Sequence, residues 1–226
     1  MKKHFITASL ALGATVFAAN SHAITISGGS FSNPEEKVEI NQSNTLNLFN
    51  STLGILDSVI FNFNAYTSFG FFARNETTVG SASAYSVTTL SYGSTNSLIH
   101  NLLSPFSIDV TSSSGGMTFD FSGPELYSGI FSDSESLTQT WNSEPSLSAF
   151  KTVGSGTFEV TCNSSFNFFS AGSSNVTITP YSSSAGCGAS ISYEYHADTT
   201  VPEPTSLALL GLGLAGLGVI RRRKTV

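Results

Sequence analysis

Apolar and polar residues alternate along much of this chain. In SVIFNFNAY, Val59, Phe61, Phe63 and Ala65 fall on one side and Asn62 and Asn64 on the other, the period-2 pattern of a half-buried strand. MTFDFSG sets Met117, Phe119 and Phe121 against Thr118 and Asp120, and GTFEVTC sets Phe158, Val160 and Cys162 against Glu159 and Thr161. NVTITP and ASISYEYHA follow, the latter with Ile191, Tyr193 and Tyr195 alternating with Ser192, Glu194 and His196. Many short strands separated by Gly, Ser and Asn clusters predict an all-β fold, an antiparallel β-sandwich of jelly-roll or immunoglobulin-like kind. Residues 126–150, which hold the only tryptophan, Trp141, show no single period and are compatible with loop, short strands or a helical turn.

The two ends break this pattern. MKKHFITASLALGATVFAANSHA has Lys2 and Lys3, an apolar run over residues 5–19, and the small residues Ser21 and Ala23 before a cleavage point. This is the order of a secretory signal peptide, and the run is short for a membrane anchor. Cleavage after Ala23 would start the mature chain at Ile24. At the other end, DTTVPEP cannot sit inside a sheet, so a linker begins near Asp198. Residues 205–220 are then apolar and uncharged, and they end at Arg221, Arg222, Arg223 and Lys224. Sixteen residues of helix span about 24 Å, short for a hydrocarbon core of about 30 Å, so bilayer thinning or snorkelling arginines must help. The basic cluster holds its end in the cytoplasm by the positive-inside bias. A single C-terminal transmembrane helix is the expectation, with residues 1–23 as signal peptide, 24–200 as the sandwich domain and 201–226 as a C-terminal module.

Charge narrows the partners. Residues 24–200 carry three basic side chains, Lys37, Arg74 and Lys151, against fourteen acidic ones, a net of −11. A body this acidic repels phosphate backbones, which argues against nucleic acid. Its two cysteines, Cys162 and Cys187, form the isolated even pair expected of a disulfide in an exported protein, with Cys162 on the apolar face of its strand. Two buried thiols or half a metal site are the alternatives. Zinc would need further ligands, and the body's histidines are His100 and His196 alone.

Pro202, Glu203 and Pro204, the glycine-leucine span and the tail from Arg221 to Lys224 together resemble the PEP-CTERM sorting signal of Gram-negative bacteria. The resemblance covers the last 26 residues. It implies an exosortase and the secretion machinery as partners, with removal of the span and tail during sorting. The inner membrane would hold an intermediate before the protein reaches the cell surface or the medium. The two prolines suit this, since they keep the segment extended and accessible. The stretch LFNSTLGILDSVIFNF, residues 48–63, is similar to the opening of the choice-of-anchor E domain, with Asn50 and Ser51 where that group has Asp-Pro. That group brings fold context and no activity.

The body offers little chemistry. Serine is abundant, but no Gly-x-Ser-x-Gly elbow occurs. His100 reads as structural or surface, His196 as a solvated neighbour of Glu194, and with only these two histidines a triad or a metalloenzyme lacks parts. Glu35 with Glu36, and Asp133 with Glu135, are the carboxylate pairs a glycosidase would use, yet sequence proximity does not create facing geometry. SDSES, around Asp133 and Glu135, has calcium-type oxygens without a spaced loop motif and reads as an exposed acidic turn. Asn-x-Ser/Thr triplets at Asn41, Asn50, Asn75, Asn163 and Asn175 mark surface turns.

The reading is therefore an exported protein that is not an enzyme, with no catalytic residues, no metal and no cofactor. A structural or adhesive role beside exopolysaccharide in biofilm is implied by the sorting resemblance. The rival is a carbohydrate-binding or carbohydrate-cleaving module on the same sandwich, with Trp141, Tyr127 and Tyr181 as candidate sugar-stacking residues.

Overall fold

A computed structural model describes residues 23–75, 79–120, 125–174 and 176–198, together with residue 211. Two antiparallel sheets dominate it. The first places β1 (Ile24–Ser32), β12 (Val176–His196), β5 (Ile55–Asn75) and β9 (Phe131–Trp141) side by side. Two short strands extend that sheet, β2 (Glu36–Lys37) on β12 and β8 (Leu126–Tyr127) on β5. The second sheet runs β3 (Asn41–Asn47), β11 (Thr157–Gly172), β6 (Val79–Gly93) and β7 (Ser107–Asp120). A parallel pair, β4 (Phe49–Asn50) with β10 (Lys151–Thr152), lies beside them. The two sheets bury their inner faces against each other as an all-β sandwich.

The alternation read from the sequence sets that inner face. Val59, Phe61, Phe63 and Ala65 of β5 are fully buried beside Ile191, Tyr193 and Tyr195 of β12, and Phe158, Val160 and Cys162 of β11 join the same core from the other sheet. Met117 of β7 is half-buried, while Phe121 lies outside the described residues.

The strands are longer than the sequence suggests. β5 and β12 each run for 21 residues, about 70 Å of extended chain. The stretch YSSSAGCGAS, which joins the NVTITP and ASISYEYHA segments, belongs to β12 throughout: Ala185, Cys187 and Ala189 point inward and are buried. Its glycines face outward, where neighbours come close. A Cβ on Gly186 would lie 2.3 Å from the Tyr66 ring, and one on Gly188 would lie 2.8 Å from the Phe31 carbonyl oxygen.

This length divides the interior in two. The main core occupies the end where the chain enters and leaves, and a second cluster of Phe69, Phe71, Ala73, Ala82 and Ala84 fills the far end. A buried polar belt separates them. Thr67 of β5 and Thr88 of β6 share a 2.9 Å hydrogen bond between the sheets, and Thr67 also donates to the Ser184 carbonyl at 3.0 Å. Ser86 and Ser112 stand directly opposite each other in the same belt, and their buried hydroxyls have no partner among the described residues.

One helix was not expected. Asn96 caps α1 (Ser97–Leu103) through its side chain, which accepts from the amides of Leu98 and Ile99, and Ile99 and Leu103 bury one face. The undecided segment, residues 126–150, resolves into β8, β9 and the short α2 (Ser146–Ala149). The triplet asparagines do not all mark turns either. Asn163 sits within β11, paired with Asn41 at the start of β3.

Candidate functional site

Both termini of the sandwich emerge at one end. Ile24 opens β1 opposite Tyr195, and β12 stops at His196, just before the linker. The corner is tightly knit. His196 Nδ1 lies 2.8 Å from the Asp57 carboxylate, and Ser58 donates to Glu194 at 2.7 Å. Gly54, at φ +151, lets the chain pass the His196 carbonyl oxygen, which a Cβ would approach to 2.2 Å. His196 is therefore a partly exposed side chain engaged with the Asp57 carboxylate on the strand that also carries Glu194. His100 belongs to α1, where its Nδ1 accepts from the Ser94 amide at 3.4 Å.

The cysteines are joined. Cys162 of β11 and Cys187 of β12, with Cα atoms 6.6 Å apart, link the two sheets through the interior. Both are buried, as the apolar-face position of Cys162 predicts.

The carboxylate pairs take separate parts. Glu35 accepts hydrogen bonds from Ser68 at 2.6 Å and from Ser184 at 2.7 Å, whereas Glu36 is an exposed residue of β2. Asp133 and Glu135 are exposed on β9, a regular strand rather than a turn. No group of three or more His, Cys, Asp or Glu side chains converges among the described residues.

The buried tyrosines Tyr92 and Tyr193 donate to the Asn64 and Asn47 carbonyls at 2.8 and 2.6 Å. Burial raises both phenols well above their ordinary range, and Tyr66 adds to the effect on Tyr92. Glu144 moves the other way, held below its ordinary value first by the hydrogen bond from Lys151.

The three candidate sugar-stacking aromatics part company. Trp141 is half-buried at the core margin, packed on Phe61, Phe106 and Phe150 with ring centroids 5.3 to 6.4 Å apart. Tyr127 and Tyr181 are 60% and 42% exposed, with centroids 5.2 Å apart. Trp141 pairs with Val59 and Tyr127 with Phe72, thirteen positions apart on β5, so about 40 Å separates them.

The sorting residues Pro202, Glu203 and Pro204, the tail from Arg221 to Lys224, and the leader up to residue 22 lie outside the described residues. No helix among the described residues is long and apolar enough to cross a membrane. A family model for the PEP-CTERM protein-sorting motif matches residues 200–224. No curated protein matches the chain. Among solved structures, the T13 particle of infectious bursal disease virus aligns at 9% identity and a TM-score of 0.13, over 87% of this chain and 44% of that one. The Gt strain of the same virus gives 12% and 0.11, over 93% and 52%. The chain thus spans about half, or less, of each viral chain. The sorting motif marks it as an exported protein handled by an exosortase.

Proposed function

We propose that this exported chain is a non-enzymatic component of the cell surface or extracellular matrix, with a structural or adhesive role beside exopolysaccharide. The observation that carries the reading is the sorting motif at residues 200–224. Its geometry is coherent with the sandwich. The last strand ends at His196, so an enzyme cutting near Pro204 would leave the ladder untouched. The Ile24 strand start fits leader removal after Ala23 in the same way. The acidic body favours solubility outside the cell.

Intact mass of the native protein from cell surface and medium, without reductant, tests the reading. We expect a chain that begins at Ile24, ends near Pro204, lacks two hydrogens for the disulfide, and fractionates with the polysaccharide matrix. A surface form that retains Arg221 to Lys224 would sink the processing step. Recovery solely from the inner membrane would sink the matrix role.

A further inference from the structure

We infer that the end of the sandwich opposite the termini carries a binding site for an uncharged polysaccharide, centred on Tyr181; this rests on the matrix reading above. Tyr181 is the extra residue of a β-bulge, since Pro180 pairs with Phe71 and Ser182 with Gly70. A bulge re-aims a side chain. Here it lays the Tyr181 ring across β5 over Gly70, where a Cβ would come within 2.8 Å of the ring. The hydroxyl reaches the Gly129 carbonyl at 3.3 Å, and Tyr127 stands at 77° to the ring. Phe72 backs Tyr127 at 6.0 Å. Two exposed rings are thus fixed at right angles with little rotamer freedom left to lose.

Polar groups surround this corner. A cleft of about 440 Å³ runs from Tyr181 past Pro180 and Ser182 to Ser184 and Lys37. Ser184 is already oriented by Glu35 and by Ser68 at 2.6 Å. Aromatic faces bind the apolar faces of pyranose rings, and hydroxyls with opposed charges read the equatorial oxygens. Glu35 and Glu36 outnumber Lys37 along this edge and the body is strongly acidic, so an anionic glycan is repelled and a neutral one fits. The site stands about 50 Å along β12 from His196, where the strand ends.

Affinity gel electrophoresis of the full chain tests this, with hydroxyethyl cellulose, laminarin and galactomannan as neutral probes and alginate as the charged one. At least one neutral probe should retard the protein. Tyr181→Ala and Tyr127→Ala should each weaken that retardation about tenfold, and Tyr85→Ala, in an exposed pair with Phe169 on the other sheet, should not. Matching melting curves establish that the variants fold. Retardation unchanged in both tyrosine variants would overturn the site and leave the matrix reading standing. Absence of retardation by every neutral probe would overturn the site while the matrix reading, which fractionation tests, stands, and a preference for alginate would overturn the uncharged ligand.

Discussion

Gly54 and His196 meet backbone to backbone at the corner where the domain ends, so that a single methyl group on Gly54 would stand 2.2 Å from the His196 carbonyl oxygen. This contact seats the last residue of β12 beside the start of β5, across the register pair Ile55 and His196. The domain therefore closes before the sorting linker begins.

Gly54→Ala should cost roughly 1–3 kcal/mol, because the backbone is also in a region that side chains disfavour. The cost should appear as faster hydrogen exchange of the amides around residues 193–196, together with a lower melting temperature. An unchanged melt would show that the corner relaxes freely.

Reduction of the bond between Cys162 and Cys187, or the double change to Ala, should destabilise the fold by roughly 3 kcal/mol, as closure of a 25-residue separation implies. For a domain of this size that is a fall of about 6–12 °C in Tm. Equal melts with and without reductant would mean that the bond adds nothing.

Ser112→Ala should raise stability by about 1 kcal/mol, since its buried hydroxyl has no partner among the described residues. Ser86→Ala should act in the same direction. Urea midpoints read the sign directly, and a loss in either variant would reveal a hydrogen bond made in solution.

Alkaline pH should unfold the chain through Tyr92 and Tyr193. Both phenols are raised in the folded state by burial, so the unfolded chain releases their protons first. Their contribution is whole below about pH 10, the unfolded value, and is lost above it at up to about 1.4 kcal/mol per pH unit for each group. Tyr92→Phe should flatten this decline, as followed by denaturation midpoints from pH 8 to 12.

Much of the sandwich was legible because burial in a sheet imposes period 2. Phe61 and Phe63, or Phe158 and Val160, reveal their inward face with no knowledge of their neighbours. The sorting module was equally plain, because a charge-free run before four basic residues has few other physical uses. The strand lengths were hidden for a specific reason: Gly186 and Gly188 resemble loop punctuation, but they make room for Tyr66 and for the β1 backbone across the sheet. The α1 helix announced itself in Asn96, Ile99 and Leu103, a cap followed by apolar residues four apart, which the surrounding strand pattern masked. Tyr181 could not be placed from sequence, because its orientation depends on a register shift opposite Gly70.

The 21-residue reach of β12 also has a mechanical meaning. A chain held at His196 and gripped near Tyr181 is loaded at two points of one strand, so the force runs along the covalent backbone of β12 and the hydrogen bonds joining it to β5 carry little of it. Pulling between these two points should extend the chain very little and leave the sheet intact, and stepwise opening at low force would contradict it. In that geometry the strand behaves as a tension member, with Cys187 riveting it to the opposite sheet partway along.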